Sequence, residues 1–316
     1  MSLELAPEVS IRDVSPRDGL QAEPKTLDTE VKRDLIDGLA LAGVPRIECA
    51  SFVHPKLLPQ MADAEAVMRG LTRRSRTHYS VLVPNVHGAE RASALDPDEM
   101  TVFVSASETH NWKNVHRSIA DSLAEFQKVA EIGRRRSVPV GAYVVTAFGC
   151  PYEGKVPESA LLDLTYRLFE LGIRTITLGD TIGVANPVLV QQRIRTIRQS
   201  LPGLTLGLHL HDNRGTALAN LLAAVDAGAT YFDTALGGIG GSPFSPGAGG
   251  NLATEDAVYL LEEMGVDTGI DLNALLVLGD RLAEALEHPL PSRVRAARGR
   301  MVPVGKDGTL RDELNG

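Results

Sequence analysis

Short β-branched or apolar runs alternate with amphipathic helical runs along this chain, and that alternation restricts the fold more than any other feature. The strand runs fall near residues 9–15, 46–52, 78–83, 99–106, 138–147, 174–180, 204–211 and 230–236. Between them apolar residues return at helical spacing, as in Leu161, Leu164, Leu168 and Leu171, and again in Val190, Ile194, Ile197 and Leu201. Eight strand–helix units predict an α/β chain closed into a (β/α)8 TIM barrel. An open doubly wound sheet is the alternative, but it ordinarily places GxGxxG after its first strand, and here the first run leads into SPRDGLQ. Leu272, Leu275, Leu276, Leu278, Leu282 and Leu286 predict one extra helix over 271–288. Residues 1–288 are therefore expected to form the catalytic barrel with that helix. Residues 289–316, rich in proline, glycine and charge, are expected to form a C-terminal tail that is loosely packed or contacts a partner.

Composition narrows the class further. A chain of 316 residues that is 43% hydrophobic can bury one large core. A formal charge of −8 argues against nucleic acid or an anionic membrane as partner. The basic runs RRSR at 73–76 and RRR at 134–136 are short enough to be solvated helix ends or loops. Cys49 and Cys150 supply no disulfide framework and fit a reducing compartment. No apolar run approaches the roughly 18 residues of a membrane span, and MSLELAPEVS resembles neither a signal nor a transit peptide. A cytoplasmic homo-oligomer is expected.

Chemistry in such a barrel gathers at the C-terminal ends of the strands. The run LTLGLHLHD puts Leu204, Leu206, Leu208 and Leu210 on one face and Thr205, Gly207, His209 and His211 on the other. Two imidazoles thus stand at i, i+2 on the inward face, within reach of one metal ion. An HxH pair in isolation is more often a coincidence or a hydrogen-bonded core pair, and its position at a barrel strand end reverses that balance. Arg17 and Asp18 sit in a turn marked by Pro16 and Gly19. A surface salt bridge is the ordinary reading of such a pair; at the active end, Asp18 supplies a carboxylate ligand and Arg17 a cation for an oxyanion or enolate.

Glu48, inside the second strand run, is costly to bury unless paired, so it is either neutralised by a partner such as Arg17 or handles protons. Cys49 reads as small core filler. Asp180, at the end of TITLGD, lies too far upstream to cap the helix starting at Asn186 and reads as an outer support for metal or substrate. The stretch GGIGGSPFSPGAGGN, 237–251, has seven glycines and ends in a single amide, Asn251. A glycine run of this kind marks a backbone that moves or closely approaches a ligand. Asp18, His209, His211 and Asn251 together offer two nitrogens and two oxygens, a set suited to Mg2+ or Mn2+ with open positions for water or substrate.

These motifs resemble the 3-hydroxy-3-methylglutaryl-CoA lyase family. The matching segments are SPRDGLQ at 15–21, IECASFVHPKLLPQM at 47–61, GCPYEGK at 149–155, LGDTIGV at 178–184, HLHD at 209–212 and GNLATEDAVYLLEEMG at 250–265. The resemblance implies that Asp18, His209, His211 and Asn251 are metal ligands and that Arg17 stabilises the enolate oxygen of departing acetyl-CoA. Glu48 and Asp180 are implied as supporting carboxylates. The implied reaction is a retro-Claisen cleavage of an acyl-CoA to acetyl-CoA and a keto acid, acetoacetate in the reference case.

One departure falls in the glycine-rich stretch. The family pattern GLGGCPY carries a cysteine that takes part in acid–base work, and here the run reads GIGGSPF, with Ser242 in its place and Phe244 for the tyrosine. A thiol titrates near about 8.5, whereas an unactivated serine is a far poorer acid. His54, where the family pattern has serine, is a candidate replacement or else a loop residue outside the site, and His209 is a further candidate. The departure also raises a related substrate, citramalyl-CoA, which would give pyruvate. A condensing synthase of the same superfamily is a third expectation, though such enzymes commonly append a regulatory domain. A barrel that binds acyl-CoA or metal without turnover is a fourth, opposed by the complete ligand set.

Overall fold

The computed structural model describes residues 8–241 and 250–299. Among these, eight parallel strands close into a barrel in chain order: β1 Ser10–Asp13, β2 Arg46–Ser51, β3 His78–Leu82, β4 Glu99–Ser105, β5 Val140–Val145, β6 Thr175–Asp180, β7 Thr205–Leu210 and β8 Tyr231–Thr234. Strand β8 pairs with β1, so the described sheet has no open edge. The TIM barrel expected from the alternation is the observed fold.

Eleven α-helices lie among the described residues: α1 Thr29–Leu41, α2 Ala64–Arg69, α3 Val86–Ser93, α4 Glu108–Val115, α5 Ile119–Arg136, α6 Glu158–Glu170, α7 Pro187–Ser200, α8 Ala217–Asp226, α9 Thr254–Glu263, α10 Leu272–Leu286 and α11 Arg293–Ala296. Helix α6 buries Leu161, Leu164 and Leu168, and α7 buries Val190, Ile194 and Ile197. Each such side chain contributes about 1.5–3 kcal/mol on burial. Asn186 starts α7 by accepting from the Leu189 amide, with Pro187 in the first turn. The extra helix expected at 271–288 is α10, begun by Asp271 accepting from the Ala274 amide. Residues 289–299, the described part of the expected tail, dock on α9. Leu290 is buried, and Asp256 accepts from the Ser292 hydroxyl at 2.8 Å and the Val294 amide at 2.9 Å. No helix among the described residues is long and apolar enough to cross a membrane.

Leu206, Leu208 and Leu210 of β7 are buried, as the alternation requires, and His209 and His211 face the lumen. The lumen beneath them carries charge. Arg12, only 1% exposed, stands in register with Asp233 of β8, and Asp233 in turn with His209 of β7. Gly207 leaves room for a neighbour, since a Cβ there would lie 2.4 Å from the Tyr231 ring.

Glu255, in the first turn of α9, is fully buried and accepts from the Gly237 amide through both oxygens, at 3.1 and 2.8 Å. Burial pushes its carboxyl up to about 8, against the pull of these backbone donors. A raised native value means the folded chain holds a proton that the unfolded chain releases above about 4.5. The associated stability is present below that pH and is lost as pH rises through about 8. Glu255→Gln is therefore expected to gain stability relative to the parent between pH 5.5 and pH 9, read from urea midpoints. A difference that does not move with pH would contradict the assignment.

Candidate active site

The turn after β1 builds the first half of the site. Residues Ser15–Gly19 form one wide turn, with the amides of Asp18 and Gly19 both donating to the Val14 carbonyl. Asp13 fixes its start by accepting from the Ser15 amide at 2.8 Å and hydroxyl at 2.6 Å, and from Thr254 at 2.6 Å. The Ser15 hydroxyl accepts from the Leu236 amide at 2.5 Å, tying this turn to the start of the glycine-rich segment. Arg17 and Asp18 are thereby held buried against the lumen.

The second half comes from β7 and the segment after β8. Residues 250–252 pair with the end of β7: Leu252 donates to Leu210, Asp212 donates to Gly250, and Asn251 lies opposite His211. The glycines around Asn251 permit this close approach. A Cβ at Gly250 would lie 1.9 Å from the Gly238 carbonyl oxygen, and one at Gly240, whose φ is 113°, would lie 2.4 Å from the Asn251 Nδ2. Gly240→Ala is expected to lower melting temperature and Mn2+ affinity together, the backbone strain alone costing about 1–3 kcal/mol. Isothermal titration with Mn2+ beside a thermal melt checks it, and unchanged Mn2+ affinity would contradict it.

Asp18, His209 and His211 are thus brought together, with potential ligand atoms all within 4.8 Å of one another. The Nε2 atoms of His209 and His211 face each other at 3.1 Å, and His209 Nε2 lies 3.8 Å from Asp18. Asn251 donates to Asp18 at 2.9 Å and to the Ile239 carbonyl at 3.0 Å, while its own Oδ1 is buried without a hydrogen-bond partner. Such an oxygen is costly to bury unless something meets it. Burial opposes a charged His209 ring, but Asp233 and Asp18 pull its pKa above the ordinary value. Burial also raises the Asp18 carboxyl, but Arg17 and the two histidines bring it below its usual range. Burial and His209 push His211 down to about 4, leaving its ring neutral with a lone pair to give. Carboxylates that demand positive charge beside two available nitrogens and an orphan oxygen fit a divalent metal ion.

Arg17 lies beside this group. It donates to Asp18 at 2.6 Å and forms a close ion pair with Glu48. Despite burial, Glu48 and Asp18 hold its guanidinium pKa above the ordinary value, so it stays charged. Burial pushes Glu48 up, only partly offset by Arg17 and Arg12, and of the two expected roles the geometry places the Arg17 pairing. Asp180 is turned to backbone: it accepts from the Val184 amide at 2.8 Å and from the Ala185 amide through both oxygens, holding the turn before α7. Burial pushes its carboxyl up to about 6. Cys49 is buried and its thiol donates weakly to the Ile47 carbonyl, as core filler does. Ser242 and Phe244 lie outside the described residues.

Arg17, Asp18, His209 and His211 line a cavity of about 640 Å3. Its inner wall includes Arg17, Asp18, Tyr143, His209 and His211, and its outer wall includes His54 and Leu57, both exposed, with His116 and Arg117. His54 accepts from the Lys56 amide through Nδ1 at 3.2 Å. Asp233 and Tyr143 were not singled out from sequence. Asp233 accepts from His209 Nδ1 at 3.1 Å and Tyr143 donates to Glu48 at 3.3 Å. Asp233 was legible by the criterion that picks out Glu48, a carboxylate inside a barrel strand, whereas the tyrosine in VGAYVV carries no such signal.

Known proteins share sequence and fold with this chain. Residues 8–281 match the family model described as HMGL-like. The chain is 44% identical over 286 residues to the hydroxymethylglutaryl-CoA lyase YngG of Bacillus subtilis, an alignment covering 90% of this chain and 96% of that protein. It is 43% identical over 293 residues to the mitochondrial hydroxymethylglutaryl-CoA lyase of Rattus norvegicus, covering 93% and 90%. Among solved structures, the Bacillus subtilis HMG-CoA lyase superposes with a TM-score of 0.91 at 43% identity, covering 93% of this chain and 99% of that one. An HMG-CoA lyase from Acinetobacter baumannii, in complex with coenzyme A and 3-methylmalate, also gives 0.91 at 42% identity, covering 96% and 100%. With the family model matched over residues 8–281, relatives above 40% identity over nine-tenths of the chain and a shared barrel, this chain belongs to the HMGL-like family.

Proposed function

We propose that this chain is a divalent-metal-dependent carbon–carbon lyase that cleaves 3-hydroxy-3-methylglutaryl-CoA to acetyl-CoA and acetoacetate, with residues 1–288 as the catalytic unit. The observation that carries it is the convergence of Asp18, His209, His211 and Asn251 beside the charged Arg17 at the inner end of one cavity. Asp18, His209, His211 and Asn251 would hold the ion, and Mg2+ or Mn2+ suits two nitrogens and two oxygens. Such an ion, when bound, lowers the pKa of an alcohol beside it.

The remaining work belongs to the chain. A base beside the site takes the tertiary hydroxyl proton, so that this oxygen becomes the keto oxygen of acetoacetate as the carbon–carbon bond breaks. The thioester carbonyl turns toward Arg17, whose guanidinium donates hydrogen bonds to the oxygen on which the enolate charge gathers. Glu48 and Asp18 hold that guanidinium in place from two sides. The exposed end of the cavity, with His54, His116 and Arg117, faces the phosphate-bearing part of a thioester as it enters. The enolate carbon then takes a proton, and Ser242 occupies the chain position from which the family pattern supplies it.

Offering the purified chain 3-hydroxy-3-methylglutaryl-CoA and citramalyl-CoA in parallel with Mn2+, while following acetyl-CoA, tests the reading. Faster cleavage of the first thioester is expected, and no cleavage of either would sink it. Ser242→Cys is expected to raise kcat on 3-hydroxy-3-methylglutaryl-CoA by at least about tenfold, the full effect of a positioned acid being about 10²–10⁴-fold. No gain would assign proton delivery to another group, with His54 next to be substituted.

A further inference from the structure

Beneath the site the side chains form a closed circuit. His209 Nδ1 donates to Asp233 at 3.1 Å, and Arg12 grips the same carboxylate with Nε at 2.8 Å and Nη2 at 3.0 Å. Arg12 Nη2 also donates to the Tyr143 hydroxyl at 2.7 Å, and Tyr143 donates to Glu48 at 3.3 Å. Glu48 pairs with Arg17, Arg17 with Asp18 at 2.6 Å, and Asp18 faces His209 at 3.8 Å. Seven side chains from β1, β2, β5, β7, β8 and the turn after β1 thus return to their starting point. Each is buried.

Arg12 is the one member of this circuit that joins its two arms from below. Its guanidinium lies 4.9 Å from the Tyr143 ring centroid and 5.2 Å from that of Tyr231, so two aromatic faces fix its plane. A second carboxylate, Glu99, meets Nη1 at 3.4 Å. Burying a guanidinium in a barrel lumen is expensive unless every donor is used, and an apolar layer would fill the same space at less cost. The expense is consistent with a positional task. A planar fork reaches Asp233 and Tyr143 together, which an ammonium on a flexible stem does not.

We propose that Arg12 is a positioning residue that sets both halves of the active site at once. Through Asp233 it fixes the His209 ring with Nδ1 protonated and the Nε2 lone pair facing Asp18 and His211. Through Tyr143 and Glu48 it fixes the plane of Arg17. The inference rests on the proposed metal-dependent lyase reading and assigns to it a support that touches neither metal nor substrate.

Mn2+ binding to the substrate-free protein, followed by electron paramagnetic resonance, separates this role from a structural one. Asp233→Asn is expected to weaken Mn2+ binding by about 10–100-fold, because an amide allows the other histidine tautomer. Arg12→Lys is expected to weaken Mn2+ binding by a comparable factor and, at saturating Mn2+, still to lower kcat with KM less affected. A lowered melting temperature with Mn2+ affinity within twofold of the parent overturns the proposal, since that is the mark of a purely structural residue. If Arg12→Lys does not fold, the nearly isosteric Asp233→Asn decides the metal arm and Tyr143→Phe the Arg17 arm by the same readouts. Failure of the parent chain itself to bind Mn2+ overturns the lyase reading and this inference with it; binding by the parent with no response in the variants overturns this inference alone.

Discussion

Replacing Arg17 with glutamine is expected to lower kcat on 3-hydroxy-3-methylglutaryl-CoA by about 10²–10³-fold, with a smaller change in KM. The magnitude is that of removing one preorganised donor from an oxygen that gains charge in the transition state. The asymmetry follows because a neutral carbonyl needs that donor far less than an enolate does. A second cost is local. Glu48 is fully buried and its Oε1 has no hydrogen-bond partner, so losing Arg17 removes its main compensating charge. Breaking a buried ion pair this way costs about 3–5 kcal/mol of stability. Arg17→Lys is expected to recover only part of either loss, because an ammonium cannot hold Asp18 and Glu48 in one plane. Steady-state kinetics at saturating Mn2+, with thermal melts of each variant, check this. A kcat within threefold of the parent would remove Arg17 from the chemistry.

His211→Ala is expected to lower Mn2+ affinity by at least about 100-fold and activity with it, as loss of a direct ligand exceeds the 10–100-fold typical of outer partners. His211 is neutral well below physiological pH, so the substitution removes a lone pair and not a charge. That distinguishes it from Asp18→Asn, in which Arg17 also loses its partner. Isothermal titration with Mn2+ and acetyl-CoA release at matched metal occupancy measure the two effects. Unaltered Mn2+ binding would place the ion elsewhere.

The barrel was legible because its cause is local: apolar periodicity switches between strand and helix in every unit, and each strand lies within two residues of its expected ends. His209 and His211 were legible for the same reason, since alternation fixes which face of β7 they share. Asn251 could be placed only through its glycines, whose close approach to Gly238 and Gly240 explains their spacing. Arg12 is not legible in the sequence, because a charged residue in SIRD resembles a strand edge in solvent; its burial is decided by β8, more than 200 residues away in sequence. Asp180 was placed among the metal's supports on topological grounds, and its oxygens meet the amides of Val184 and Ala185. Turn chemistry of that kind spans four or five residues and is easily masked by a strand-end motif.

Soaking crystals of the protein in Mn2+ and recording anomalous diffraction at the manganese edge shows whether Asp18, His209, His211 and Asn251 hold the ion. One strong peak is expected within coordination distance, about 2.0–2.3 Å, of the Nε2 atoms of His209 and His211, an Asp18 carboxylate oxygen and the Asn251 Oδ1. No peak there at millimolar Mn2+, or a peak held by other residues, would contradict that ligand set.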